Sequence, residues 1–114
     1  MDKTITISGK PVRFRKTGGT ILRYKREFGR ELNGDLAKIA ALQVASDKDR
    51  TAIALGIETE WMYDIAFIMA QQADPSITDE LTWLDSFDDF DPWAVFSELM
   101  ELISKEQEIA PKNA

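Results

Sequence analysis

Apolar and polar residues alternate with a period of two over Thr4-Ile5-Thr6-Ile7-Ser8 and again over Val12-Arg13-Phe14-Arg15, with the turn residues Ser8-Gly9-Lys10-Pro11 between them. This pattern predicts a β-hairpin with Ile5, Ile7, Val12 and Phe14 on one face and Thr4, Thr6, Arg13 and Arg15 on the other. A lone hairpin is marginal in water, so it must pack against helices.

Beyond Lys16-Thr17-Gly18-Gly19 the apolar spacing becomes helical. Thr20 is the expected N-cap of a first helix with Ile21, Tyr24, Phe28 and Leu32 inward, stopped by Asn33-Gly34. Asp35 then caps a short second helix carrying Leu36, Ile39, Ala40 and Leu42, which gives out in a loop at Ser46-Asp47-Lys48-Asp49-Arg50. A longer third helix has Gly56 near its start, the stripe Trp61, Ile65, Ile68 and Met69, and Gln72 at its end before Asp74-Pro75. Thr78-Asp79-Glu80 places acids in the first turn of a fourth helix with Leu81, Leu84 and Phe87 inward. Asp91-Pro92 opens the last helix, aspartate as N-cap and proline at the first helical position. Its two apolar stripes, Trp93, Phe96, Met100, Ile103 and Val95, Leu99, Leu102, suggest that one face awaits a partner.

The expected architecture is therefore α+β: a single, mostly helical domain over 1–104, four to five helices with an N-terminal β-hairpin, followed by a flexible tail over 105–114. At 114 residues and 44% hydrophobic content such a domain buries roughly 65% of its unfolded surface. Eleven aromatic residues argue against wholesale disorder.

Charge changes the picture. From Thr51 to Ser104 there are twelve acidic side chains and no lysine or arginine, whereas residues 1–30 hold nine basic groups against Asp2 and Glu27. A field of one sign steers partners without any catalytic group. The net charge of -6 disfavours nucleic acid as the main partner, because phosphate binding is driven by basic groups that release counterions. Cysteine and histidine are absent, which removes disulfides, thiolate chemistry, the commonest general base and the commonest metal ligand. With no signal-peptide core and no run of about 18 apolar residues, a cytoplasmic protein that touches no membrane is the expectation.

Four constellations carry candidate chemistry. Asp85, Asp88, Asp89 and Asp91 suggest calcium, but an EF-hand loop counted from Asp85 meets Phe87 at its third place, Phe90 where glycine belongs and Phe96 at its twelfth; helix capping accounts for these acids better than metal or paired-carboxylate catalysis. Lys16-Thr17-Gly18-Gly19-Thr20 has anion-binding composition without Walker spacing, and reads as a helix cap. The basic set Arg13, Arg15, Lys16, Arg23, Arg26 and Arg30 suits phosphates less well than carboxylates, in this chain or a neighbouring copy. Trp83, Phe87, Phe90, Trp93 and Phe96, five large aromatics within fourteen residues, exceed what one small core easily covers, so some should face a protein.

Ile65-Ala66-Phe67-Ile68-Met69-Ala70-Gln71-Gln72-Ala73-Asp74-Pro75-Ser76-Ile77, then Trp83-Leu84-Asp85-Ser86-Phe87 and a Leu- and Glu-rich closing helix, resembles the tail assembly chaperones of long, non-contractile-tailed bacteriophages. Phe14-Arg15-Lys16-Thr17-Gly18-Gly19-Thr20 leading into Arg23-Tyr24-Lys25-Arg26-Glu27-Phe28-Gly29-Arg30 looks like that family's opening segment. The resemblance spans most of residues 12–103 and implies a small protein of the host cytoplasm that coats the helical tape measure protein until tail tube subunits replace it, and is absent from the mature virion. It also implies self-association and, in many relatives, a frameshifted longer form.

The expectation is thus a non-enzymatic assembly chaperone with no cofactor and no metal. Trp83, Phe87, Phe90, Trp93 and Phe96 are its candidate client contacts; Arg23, Arg26 and Arg30 would meet Asp85, Asp88 and Asp89 on a neighbouring copy, head to tail. The alternative is an acidic decoy that imitates nucleic acid and blocks a DNA-binding protein, which needs its acids in an extended exposed row with few apolar neighbours. A small phosphate-binding enzyme would instead place its ligand near Gly18-Gly19.

Overall fold

Ser8 and Gly9 both take positive φ, 50° and 79°, the backbone that a two-residue hairpin turn demands at its central positions. They join β1 (Asp2–Ile7) to β2 (Lys10–Arg15) in an antiparallel pair with Ile5 opposite Val12 and Ile7 opposite Lys10. Ile5, Ile7 and Phe14 are buried and Val12 packs against them, as the alternation predicted. The computed structural model describes residues 1–44 and 59–107. It sets the hairpin against five helices among the described residues: α1 (Thr20–Phe28), α2 (Leu32–Val44), α3 (Thr59–Ala73), α4 (Glu80–Asp85) and α5 (Pro92–Gln107). This is the expected α+β class.

α3 is the hub. Trp61, Met62 and every residue from Asp64 to Ala70 are buried, and α3 contacts β2, α1, α4 and α5. A helix apolar nearly all round belongs in the interior. α5 lies across β1 and α3, with Val95, Phe96, Leu99, Leu102 and Ile103 buried. Its two predicted stripes are adjacent sectors of one arc of about 180° at 3.6 residues per turn, of which about 120° is buried. The face expected to await a partner is therefore covered, save for Trp93 at its edge, 41% exposed.

Several boundaries differ from expectation for identifiable reasons. α1 ends at Gly29, whose φ of 74° and N–H bond to the Lys25 carbonyl form a left-handed C-cap; Asn33-Gly34, the expected stop, lies inside α2. Gly19, not Thr20, is the N-cap position, and the buried Thr20 hydroxyl instead donates to Gln72 and accepts from the Thr17 N–H. Burying Thr20 and Tyr24, one turn apart, leaves Ile21 on the flank, exposed. Leu32 is buried as expected but belongs to α2, and Asp35 sits within the first turn of that helix, not at its cap. On α4 the inward residue is Trp83, which meets Phe14 edge-on at 6.4 Å and Phe67 at 6.2 Å. The larger ring sets the helix rotation, and Leu81, predicted inward, points out at 70% exposure.

Asp79 caps α4 by accepting from the Thr82 N–H, and Asp91 caps α5 by accepting from the N–H groups of Trp93 and Ala94, ahead of Pro92. The side chains of Ile39, Ala40 and Leu42, the loop at 46–50, Gly56 and residues 108–114 lie outside the described residues. No described helix is long and apolar enough to cross a membrane.

Candidate functional site

Acids and apolar side chains share one concavity. Glu60, Tyr63 and Asp64 of α3, at helical spacings of three and four, face Glu80, Leu81, Leu84 and Asp85 of α4, and the connection Phe87-Asp88-Asp89-Phe90 closes the end. The cleft holds about 630 Å³. Its floor is aromatic: Tyr63 stacks on Phe90 with ring centres 5.5 Å apart, while Trp83 meets Phe87 and Phe90 edge-on at 5.5 and 5.7 Å, geometries favourable to the ring quadrupoles. Six carboxylates and no lysine or arginine line the cleft, with Asp64 buried at its back.

The hairpin holds this acidic connection in place. Ser8 Oγ donates to the Asp89 carbonyl at 2.6 Å and accepts from the Asp89 N–H at 2.9 Å. Lys10 Nζ donates to the Ser86 carbonyl at 2.6 Å and lies over the Phe87 ring.

Behind the cleft, Asp64 is 1% exposed and accepts from Arg30 Nη2 at 2.7 Å. Arg30 also donates from Nε to Asp35 at 3.0 Å and from Nη2 to the Tyr24 hydroxyl, which donates to Asp35. Its guanidinium stacks near the rings of Tyr24, Phe28 and Trp61. A buried charge left unpaired is costly; here two acids share one cation. Burial, then a hydrogen bond to Asp64 and the charges of Asp64, Glu60 and Glu27, push the Glu80 carboxyl up to about 8. Glu80 is therefore the carboxyl that keeps its proton, with Arg30 on the far side of Asp64.

The predicted site residues divide accordingly. Asp85, Asp88 and Asp89 line the cleft; Trp83, Phe87 and Phe96 are buried in the core, Phe90 is half-buried, and Trp93 is exposed outside the cleft. Arg30, expected to meet a neighbouring copy, is paired within the chain with Asp35 and Asp64. Arg13 and Arg15 bond to Asp2, whose carboxyl they hold well below the usual range. Arg23 and Arg26, by contrast, have no carboxylate partner among the described residues and line a second concavity of about 470 Å³ with Leu22 and Ile68. The N–H groups at Thr17, Gly19 and Thr20, which an anion would need, already bond to oxygens of Thr20, Thr17 and Thr17. Sequence reasoning missed Glu60, Tyr63, Asp64, Glu80 and Leu81 as cleft residues, although the i, i+3, i+4 spacing of the first three was there to be read. Among the described residues no group of acids is arranged to hold a metal ion.

Comparison with protein-family models, curated proteins and solved structures finds no match for this chain.

Proposed function

We propose that this chain is a non-enzymatic tail assembly chaperone of a long, non-contractile-tailed phage or prophage, which holds helical segments of the tape measure protein in the host cytoplasm until tail tube subunits replace it. The observation that carries this reading, beside the sequence resemblance, is the acid-rimmed apolar cleft between α3 and α4. A long amphipathic helix kept from its final partners offers an apolar stripe that needs cover, and helix-in-groove binding uses an apolar floor with charged rims that set orientation. Leu81 and Leu84, with Phe90, supply the apolar contact; Trp93 adds a second exposed ring outside the cleft. The acids stand beside these apolar groups and not in an extended row, which favours a protein partner over the decoy reading.

Head-to-tail association belongs to the same proposal: Arg23 and Arg26 on α1 meet Asp85, Asp88 and Asp89 at the outer edge of a neighbouring copy's cleft, a heterologous contact that closes into rings or opens into spirals. Co-expression with the long helical protein encoded downstream, followed by pull-down, tests the function. The client stays soluble and is retained by the wild type, and is lost with Leu81→Gln; a client that aggregates regardless of this chain ends the proposal.

A further inference from the structure

We infer that the inner end of the cleft, where Glu60 and Asp64 of α3 meet Glu80 of α4, is a receptor for an arginine carried on the bound helix beside the apolar residue that seats on Leu81 and Leu84. The inference rests on the helix-binding reading above and names what the cleft selects.

The argument begins with charge complementarity. Six carboxylates surround the cleft without a basic residue in its lining. Two cations stand close by outside the lining: Lys10 is held on the Ser86 carbonyl over the Phe87 ring, and Arg30 is held on the far side of Asp64, its Nε bonded to Asp35, its Nη2 to Asp64 and to Tyr24, and its plane against Trp61. Glu60 and Glu80 therefore lack a cation partner among the described residues, one on each wall of the cleft. Paired carboxylates across a narrow, part-apolar gap suit a planar guanidinium, which presents several N–H groups in a fixed fork and is more weakly hydrated than an ammonium. A neutral helix would leave these acids facing each other beside its own apolar stripe, desolvated and unpaired, at a cost.

The surroundings give the interaction a pH signature. The charges of Asp64 and Glu60 from α3 and Glu27 from α1 act on Glu80; Arg30, bonded to Asp35 of α2, lies behind Asp64, and Tyr63, Asp85, Asp88 and Asp89 share the cleft lining. Burial first, then the hydrogen bond to Asp64 and these charges, keeps the proton on Glu80 to about pH 8. An arriving guanidinium favours the ionised carboxylate, and docking releases that proton to solvent. Arginine-dependent affinity then grows as pH rises toward 8 and fades as pH falls.

Fluorescence anisotropy of the full chain tests this with two labelled amphipathic helical peptides that share one leucine stripe and differ by a single Arg or Gln beside it. The arginine peptide binds about tenfold more tightly at pH 8.5, and the gap closes by pH 6. Glu80→Gln narrows the gap and flattens the pH profile of the arginine peptide; Leu81→Gln, at an exposed site, weakens both peptides alike. Equal binding of the two peptides at every pH overturns the inference and leaves helix binding standing. If neither peptide binds, the inference also falls, and the co-expression experiment then decides whether the helix-binding reading falls with it.

Discussion

Arg30→Ala removes the cation that two buried acids share, and its cost can be worked from the structure. The wild-type guanidinium sits 2.7 Å from Asp64 and 3.0 Å from Asp35, and it also donates to the Tyr24 hydroxyl. Truncation strands both carboxylates and exposes the ring faces of Tyr24, Phe28 and Trp61 against which the guanidinium lay. Breaking a buried pair by removing one partner costs about 3–5 kcal/mol. At 0.05–0.15 kcal/mol per residue a chain of this length has a total stability of roughly 6–17 kcal/mol. The variant thus loses from about a fifth to most of its stability, and its Tm falls by about 10–20 °C. Urea denaturation followed by tryptophan fluorescence reads the change directly, since Trp61 lies beside the site.

A loss below about 1 kcal/mol refutes the shared-cation account. Arg26→Ala is the matched control: it carries the same charge on an exposed face and should leave the midpoint within about 0.5 kcal/mol of wild type.

Phe14→Ala deletes a fully buried ring that joins the hairpin to Trp83 and should cost about 3–5 kcal/mol by chemical denaturation; a loss under about 1 kcal/mol would mean that the hairpin is not seated on α3 and α4 as described. Gly29→Ala forces a side chain into a backbone with φ of 74°, where no neighbouring atom crowds the added Cβ, so the cost is backbone strain alone, about 1–2 kcal/mol in thermal melts. For Glu80, the unfolded carboxyl releases its proton near 4.5 and the folded one near 8. The folded state therefore binds the extra proton between those values, and wild-type stability falls as pH rises through that window. Glu80→Gln removes the fall: the variant matches wild type near pH 5 and exceeds it at pH 9 by about 1–2 kcal/mol, a figure discounted because the group is half-exposed and screened. Parallel stability-against-pH curves for the two proteins would show that Glu80 does not hold the proton.

How much of this was legible in the sequence depends on the strength of the local signal. The hairpin was, because strict alternation over Ile5, Ile7, Val12 and Phe14 leaves one register that turns all four toward the core. The start of α5 was, because Asp91-Pro92 satisfies the cap and the first-turn geometry together. The rotation of α4 was not: in a helix of six residues the positions of Leu81, Trp83 and Leu84 are each compatible with an inward face, and only the tertiary neighbours Phe14 and Phe67 select Trp83. Nor was the end of α1, where Gly29 and Gly34 were both available stops and the buried network of Tyr24, Arg30 and Asp35 favours the earlier. The acids of the cleft were visible as a count of charge; that Asp64 lies behind Glu80, with Arg30 behind both, depends on three segments meeting.

The segregated charge of the sequence is partly neutralised by folding, and what remains is informative. Lys3 reaches across to Glu98 and Glu101 on α5, Arg13 and Arg15 close on Asp2, and Arg30 closes on Asp35 and Asp64. Lys10 and Ser8 bind backbone carbonyls at 86 and 89, so the basic hairpin orients the acidic connection without cancelling its carboxylates. Had the two charge blocks evolved only to hold the fold together, the exposed acids of the cleft would be expected to pair with Arg23 and Arg26. Instead Arg23 and Arg26 lie beside Leu22 on α1, and Asp85, Asp88 and Asp89 lie near Leu81 beyond α3. Each face sets an exposed leucine, 51% at Leu22 and 70% at Leu81, beside charge mainly of one sign, Glu27 standing with Arg23 and Arg26 on the first. Exposed apolar area beside a coherent field is an arrangement that adds nothing to the stability of the isolated chain and gains free energy only when another polypeptide covers it.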